Sequence, residues 1–375
     1  MADGLKGLAV LGSTGSIGGQ TLDVVRAFPH RFKVVGLTAG RNTDLFNRQL
    51  QEFSPALVCC QNPSPETHTL MAETSEWASP EDIASHPDVD IVMMATFGRV
   101  GLEPTLAALR AGKRVVLSNK EVIVSAGELV AREARAAGAE IIPVDSEPSA
   151  IWQCLQGEGE VSRLILTASG GPFRQRPIDE LQDVTPEEAL RHPTWKMGNK
   201  ITIDSSTLMN KGFEVIESHW LFDMPYEKIE VVVHPQSTVH SFVEYADGSV
   251  KAQIGPTDMR LPIQYALTHP ERWYNGHTPR MGSLSTLELT FQELDTERYP
   301  CFTLAVEAGK KGGTYPAVLS AADEVAVQLF LDRRIGFNDI FRVVERVLER
   351  HDPVFGPSFE DILAADRWAR ELASG

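Results

Sequence analysis

Gly7-Leu8-Ala9-Val10-Leu11-Gly12-Ser13-Thr14-Gly15-Ser16-Ile17-Gly18 decides how the chain begins to fold. Its first five residues form an apolar, β-prone run, the next seven a glycine-punctuated turn, and residues 19–28 continue as a helical pattern. Glycines between a first strand and a first helix permit a tight bend and close backbone approach. The helix amino terminus then offers unpaired N–H groups and a partial positive charge to a pyrophosphate. The spacing is GxxGxxG, a variant of the GxGxxG fingerprint, and a purely structural loop can share it; the position directly after the first strand favours a dinucleotide site.

Outward from that turn, the first 145 residues alternate short apolar runs, at 7–11, 32–37, 56–59, 91–95, 114–117 and 140–144, with helical patterns. Apolar strands separated by roughly 10–20 residues of helical pattern predict a parallel sheet covered on both faces. After Asp145 the pattern changes, and 163–167, 229–233 and 239–245 read as strands of an antiparallel or mixed sheet. Tyr245-Ala246-Asp247-Gly248-Ser249 reads as a hairpin, because Asp-Gly suits a tight turn. Residues 270–300 contain Pro270, Pro279, Pro300 and Asn275-Gly276 with little periodicity, which suggests a surface linker. Segments 302–308, 315–331, 337–350 and 359–373 carry apolar residues at helical spacing. The expected architecture is α/β: a Rossmann-like parallel-sheet domain over 1–145, an α+β domain over 146–269, a linker over 270–300 and a C-terminal helical bundle over 301–375.

The chain has 375 residues, and 35 Lys+Arg against 51 Asp+Glu give a net charge of −16. That balance argues against a general nucleic-acid binder, whose affinity rests on clustered positive charge. A hydrophobic fraction of 42% with 29 Gly and 23 Pro excludes a disordered or collagenous chain. Cys59, Cys60, Cys154 and Cys301 include an adjacent pair and no CxxC, so neither a disulfide framework nor a zinc ligand set is expected, and a cytoplasmic location fits. The start, MADGLKGLAV, has no basic leader, and no window approaches 18 uncharged apolar residues, so secretion and a membrane span are not expected. A net-anionic chain that handles anions must gather its cations, or a metal ion, at one place. At the end of the second strand, Ala39-Gly40-Arg41-Asn42 places an arginine where NAD sites usually carry an acidic residue. Arg41 suits the 2′-phosphate of NADPH, although a solvated surface arginine would read the same way.

Two acidic groups stand out. Asp145-Ser146-Glu147 follows the sixth run, at the strand end where open α/β sheets bind ligands, and its two carboxylates can point to one side of an extended segment. Such a pair repels unless a proton or a cation such as Mg²⁺ or Mn²⁺ separates it, whereas the plainer reading makes Asp145 or Ser146 a helix cap. The second group, 203–217, reads as a strand end, a Ser/Thr cap and a helix to about Phe222. There Glu214 shares a face with Asn210 and Lys211. Lys211 and Glu214 may be read as an ordinary surface pair; alternatively Ser205, Asn210 and Lys211 supply donors for a phosphate monoester and leave Glu214 to complete a metal site.

Three further segments carry residues suited to a site. Thr167 to Phe173 is a strand running into a Gly-rich turn, and Arg191 to Lys200 is a basic loop with a tryptophan that reads as exposed; the loop especially suits a lid. His234-Pro235-Gln236-Ser237 reads as a buried structural loop rather than a catalytic histidine.

GSTGSIG at 12–18, LSNKE at 117–121, PVDSE at 143–147, SGGPFR at 169–174, HPTWKMGNKI at 192–201, DSSTLMNKGFEVIE at 204–217, HPQS at 234–237 and SAADE at 320–324 together closely resemble the 1-deoxy-D-xylulose 5-phosphate reductoisomerase family, in order and over nearly the whole chain. The resemblance implies an NADPH-dependent, divalent-metal-dependent enzyme of the non-mevalonate isoprenoid pathway, using Mg²⁺, Mn²⁺ or Co²⁺ and forming a homodimer. Its reaction would rearrange the phosphorylated sugar skeleton to 2-C-methyl-D-erythrose 4-phosphate and reduce that to 2-C-methyl-D-erythritol 4-phosphate. The segment 146–269 would then be both catalytic and dimer-forming.

The resemblance also implies roles by position. Asp145, Glu147 and Glu214 match metal ligands, and Thr14, Gly15, Ser16, Ile17, Gly40, Arg41, Asn42, Asn119, Glu121 and Gly198 match cofactor contacts. Lys120, Ser146, Ser169, His192, Ser205, Asn210 and Lys211 match substrate contacts, with Trp195 and Met197 on the lid and Lys120 assisting proton transfer. One departure is Pro148, where some members carry His. Two rival classes share part of the pattern, a plain nicotinamide dehydrogenase of the homoserine or semialdehyde type and a non-catalytic NADPH-binding regulator; neither needs three carboxylates and a metal.

Overall fold

The computed structural model describes residues 4–157, 159–195 and 197–375. Contacts divide the chain into two compact units: residues 1–122, 130–149 and 258–279 form the first, and 123–129, 150–257 and 280–375 the second.

In the first unit, β1 (Lys6–Leu11), α1 (Ser16–Ala27), β2 (Phe32–Ala39), α2 (Thr43–Phe53), β3 (Leu57–Cys60), α3 (Pro65–Thr74) and β4 (Glu76–Trp77) build one side of a sheet. The chain continues through α4 (Pro80–Ser85), β5 (Ile91–Met94), α5 (Leu102–Arg110), β6 (Arg114–Leu117), α6 (Lys120–Ala137) and β7 (Ile141–Pro143). All seven strands are parallel in the order β4-β3-β2-β1-β5-β6-β7. Because helices cover both faces, the central strands are apolar throughout: Leu8, Ala9, Val10, Leu11, Met93, Met94, Val115 and Val116 are fully buried. Helix starts follow sequence signals. Ser64 and Ser79 cap α3 and α4 ahead of Pro65 and Pro80, where a missing N–H costs nothing. The order reverses between β1 and β5, so a crevice opens at their carboxyl ends.

Residues 258–279 return to this unit, which differs from the expected limits of the α+β domain and the linker. The reason is packing: α11 (Arg260–Thr268) lies on α1, and Trp273 meets the Phe28 ring at 5.2 Å with the Arg31 guanidinium 4.8 Å over its own ring.

The second unit holds most of α7 (Ser146–Cys154), then β8 (Val161–Ala168), α8 (Pro186–Ala189), α9 (Asn199–Thr207), α10 (Met209–Phe222), β9 (Ile229–Val233), β10 (Val239–Tyr245), β11 (Val250–Ile254) and β12 (Gln292–Glu293). Its sheet is mixed, in the order β11-β10-β8-β9-β12, with β8 and β9 parallel and the other pairs antiparallel. The β10–β11 hairpin turns at Asp247-Gly248, where Gly248 has φ +84° and Asp247 Oδ1 accepts from Ser249 N. The helices α12 (Pro300–Lys311), α13 (Tyr315–Leu331), α14 (Asp339–Glu349) and α15 (Phe359–Ser374) form the expected bundle. By contacts the bundle does not stand alone. One apolar core runs without a break from Ile203, Met209 and Phe213 on α9 and α10 to Ala305, Phe330 and Val344. Among the described residues no helix is long and apolar enough to cross a membrane.

Two departures from the sequence reading are local. Residues read as a strand end before Ser205 lie inside α9, where Thr202, Ser206 and Thr207 return their hydroxyls to carbonyls one turn back. Those back-bonds satisfy a β-branched, polar run in helical form, and Leu208, left-handed at φ +56°, then separates α9 from α10. Glu147, read as extended, lies in the first turn of α7, and Pro148 follows it there at no hydrogen-bond cost.

His234 is structural: Nδ1–H donates to Thr290 O at 2.9 Å, and Nε2 accepts from Thr238 N and Val239 N, each at 3.1 Å. Burial lowers the pKa of His234, His269 and His351 below their ordinary 6.5. The unfolded chain protonates these rings near pH 6.5 while the folded chain keeps them neutral, so stability is present above that pH and declines as pH falls through it. Thermal melts should therefore give a lower Tm at about pH 5.5 than at about pH 7.5. A Tm that is flat across this window, above the carboxylate range, contradicts the assignment.

Candidate functional site

The turn after β1 is held from beneath. Gly12 N donates to Thr38 Oγ1 at 2.9 Å, Ser13 N to Thr38 O at 2.8 Å, and Ser13 Oγ to Gln49 Oε1 at 2.7 Å. Gly12 has φ +91°, and a Cβ there would stand 2.5 Å from Ala95 O; a Cβ on Gly18 would stand 2.2 Å from Gly12 O. No side chain caps α1, whose N-cap is Gly15, so its first N–H groups face outward past exposed Gly15 and Ser16, with Thr14 and Ile17 half-buried beside them. The turn thus forms a cradle of backbone donors at a helix start, the kind of place where an anion can be held. At the end of β2, Gly40 is half-buried and Arg41 exposed, while Asn42 Oδ1 is already engaged in capping α2 from Leu45 N.

At the carboxyl ends of β6 and β7 the same unit assembles a charged group. Asn119 is buried; its Nδ2 donates to Thr96 Oγ1 and Gly98 O at 3.1 and 2.8 Å, and among the described residues its Oδ1 has no partner. Lys120, 5% exposed at the start of α6, sets its Nζ 2.6 Å from Asp145 Oδ2, with Glu121 half-buried next to it. Asp145 Oδ1 accepts from Ser146 N, and Ser146 Oγ donates to Glu147 Oε2 at 2.6 Å. Capping and ion pairing thus coexist at Asp145: one oxygen serves the helix start, the other faces an ammonium.

In the second unit, Ser169 Oγ and His192 Nε2 are 3.1 Å apart, and Ser169 Oγ also accepts from Gly171 N. His192 Nδ1 accepts from Trp195 N at 2.9 Å, which fixes the tautomer with the proton on Nε2, so the ring donates to Ser169. Trp195, read as exposed, is half-buried with its ring 6.2 Å from that of His240. Met197 is half-buried and Gly198 exposed at the N-cap of α9, whereas Lys196 lies outside the described residues. Ser205 is buried in the last turn of α9. On α10, Asn210 and Lys211 both donate to Glu214, one to each carboxylate oxygen, and Lys211 and Glu214 are almost completely buried. A surface pair is excluded by that burial. Burial raises the pKa of the Cys59, Cys60 and Cys301 thiols, which disfavours their reactive thiolate forms.

Within each unit, then, the expected residues gather: the 12–18 turn with the ends of β2, β6 and β7 in the first, and Ser169 with His192, and Asn210 with Lys211 and Glu214, in the second. Sequence reasoning missed the supports Thr38, Gln49 and Thr96. The first two are ordinary polar residues far along the chain, and only strand order brings them beneath the turn. Thr96, directly after β5, was findable from the strand-end position alone.

Family models described as 1-deoxy-D-xylulose 5-phosphate reductoisomerase match residues 8–127, and C-terminal-domain models of the same enzyme match 141–222 and 254–372. The chain is 52% identical over 378 residues to a 1-deoxy-D-xylulose 5-phosphate reductoisomerase of Pelotomaculum thermopropionicum, covering 98% of this chain and 97% of that one. It is similar to a crystal structure of DOX-P reductoisomerase in complex with NADPH, fosmidomycin and magnesium, at TM-score 0.92 and 39% identity over 99% of this chain and 98% of the other. A structure of the enzyme from Zymomonas mobilis in complex with NADPH matches at TM-score 0.92 and 42% identity with the same coverage. With the fold, the phosphate cradle and the paired carboxylates in one sequence order, the chain belongs to the 1-deoxy-D-xylulose 5-phosphate reductoisomerase family.

Proposed function

We propose that the chain converts 1-deoxy-D-xylulose 5-phosphate to 2-C-methyl-D-erythritol 4-phosphate, first rearranging the carbon skeleton and then reducing the aldehyde with NADPH, for isoprenoid precursor synthesis. The observation that carries this reading is two carboxylate–ammonium pairs, Lys120 with Asp145 in the first unit and Lys211 with Glu214 in the second, in a chain whose first unit also offers a cradle of backbone N–H groups. A plain dehydrogenase needs only the cradle.

The residues fit the groups they would hold. Asp145, Glu147 and Glu214 are all-oxygen donors, half-buried or buried, of the kind Mg²⁺ and Mn²⁺ prefer. Thr14, Gly15, Ser16 and Ile17 would bind the cofactor pyrophosphate, Arg41 its 2′-phosphate with Gly40 and Asn42 beside it, and Asn119, Glu121 and Gly198 the remainder. The orphaned Asn119 Oδ1 is an acceptor waiting for a donor. When bound, the divalent ion supplies Lewis-acid polarisation of adjacent substrate oxygens, and NADPH supplies the hydride. Lys120 holds a proton at Nζ against Asp145 and can deliver it to a substrate oxygen. Ser146 presents its hydroxyl to Glu147 and would orient the substrate there. Ser169, His192, Ser205, Asn210 and Lys211 would anchor the phosphate, far from the reacting carbons, and Trp195 with Met197 would exclude water once it is seated. Lys120 and Lys211, which pair with Asp145 and Glu214, would share those carboxylates with a bound cation and could turn to substrate.

By the same resemblance we propose that residues 1–145 bind NADPH, 146–269 carry catalysis and dimer contacts, 270–300 connect, and 301–375 buttress, in a cytoplasmic homodimer. Sedimentation of the purified chain at about twice its 41.3 kDa mass tests the dimer; a monomer at micromolar concentration refutes it.

Purified protein should oxidise NADPH only when 1-deoxy-D-xylulose 5-phosphate and Mg²⁺ or Mn²⁺ are both present, and EDTA should stop it. Glu214→Gln should lower kcat about 100-fold, whereas parental activity in that variant would sink the metal assignment. Arg41→Ala should raise the KM for NADPH about tenfold or more and leave that for NADH unchanged, because one charge-assisted phosphate contact is lost. Equal effects on both cofactors would place Arg41 elsewhere.

A further inference from the structure

Nothing in the roles assigned so far uses three charged side chains buried inside the second unit. Lys200 Nζ reaches Asp323 Oδ2 at 2.9 Å and also contacts Asp204, in sites where Lys200 is 11%, Asp204 2% and Asp323 0% exposed. The ammonium also lies 4.7 Å above the Phe213 ring. Asp323 sits on α13 with Ala321, Ala322, Ala326 and Val327 packed in the core around it. Among the described residues neither of its carboxylate oxygens has a hydrogen bond of good geometry, so the Lys200 ammonium is the counter-charge that makes its burial tolerable.

Stability alone does not account for such a group, because well-packed apolar residues usually replace a buried ion pair without loss. Its place in the unit offers a reason. The helix it grips, α9, carries one fully buried apolar side chain, Ile203, and otherwise buries Thr202, Asp204, Ser205, Ser206 and Thr207. An apolar stripe that small leaves the rotation and slide of the helix weakly specified, whereas an ion pair to α13 fixes them in one geometry.

Four anchoring elements depend on that placement. The lid loop with His192 and Trp195 runs directly into α9 through Gly198. Ser205 lies in its last turn, and the Gly170-Gly171 turn rests on it so closely that a Cβ at Gly171, φ +66°, would stand 2.7 Å from Ser205 O. That turn carries Ser169, the partner of His192. Leu208, immediately after α9, leads into Asn210 and Lys211.

We propose that Asp323, acting through Lys200, is a positioning residue that locks α9 so that the phosphate-anchoring side chains of this unit are preorganised. The proposal rests on the substrate-phosphate reading above. Its test is steady-state kinetics on the full-length enzyme with NADPH and Mg²⁺, comparing Asp323→Asn, the double variant Lys200→Met/Asp323→Leu, and Ser205→Ala. The double variant leaves no unpaired charge, so its Tm should match or exceed the parental value. Both clamp variants should raise the KM for 1-deoxy-D-xylulose 5-phosphate about tenfold while the KM for NADPH moves by less than about threefold, as misplacement of preset contacts predicts. A folded double variant with parental substrate KM overturns the clamp, and so does an equal rise in both KM values. If Ser205→Ala alone keeps the parental substrate KM, the phosphate-anchor reading falls and takes the clamp with it; if Ser205→Ala raises KM and the double variant does not, only the clamp falls.

Discussion

Asp145 and Glu214 are each neutralised at close range by an ammonium group, and the reading of the site depends on that constraint. Lys120 faces Asp145 in the first unit, and Lys211 faces Glu214 in the second. A bare carboxylate as buried as Glu214 would be driven to protonate; an ammonium alongside lets it stay charged until a harder cation competes. The balance is fine. Exposed pairs such as Arg26 with Glu52 contribute about 0–1 kcal/mol, but removing one partner of a pair as buried as Lys211 and Glu214 costs roughly 3–5 kcal/mol. The elements that carry these side chains are therefore held in place by the same groups that would meet ligands.

The net charge of −16 takes on meaning only through that arrangement. Spread over a surface, the acidic excess would repel a sugar phosphate and a phosphorylated cofactor. Folding instead withdraws Lys120 in the first unit and Lys211 in the second from the surface, each beside a carboxylate, while backbone N–H groups at the start of α1 are donors that add no net charge. The fold pays for this by burying polar groups on α7, α9 and α10.

The parallel sheet was legible because its strands are apolar for their whole length and its first turn is punctuated by glycine. β1, β6, β9 and β10 fall where their apolar runs place them to within a residue. The short edge strand β4, Glu76–Trp77, left no pattern to read because it is exposed and only two residues long. The strand end and Ser/Thr cap read from Ile203 onward misled because an Ile followed by Ser and Thr does not look helical in isolation; hydroxyl back-bonds and the left-handed Leu208 decide the matter, and neither is visible as periodicity. The return of 258–279 to the first unit was hidden for another reason, since the edge-on contact of Trp273 with Phe28 and the Arg31 guanidinium over its ring join residues more than 200 positions apart. Site residues on strand ends and motifs could be named in advance, whereas their neutralising partners could not, because pairing such as that of Lys200 with Asp323 is a property of helix packing.

If Asp145 and Glu214 hold a divalent cation, calorimetric titration of Mn²⁺ into the metal-free chain, without substrate or cofactor, will register it. The expected result is one ion bound per chain, with affinity reduced about tenfold or more in Asp145→Asn and in Glu214→Gln alike. Parental Mn²⁺ affinity in both variants would contradict it.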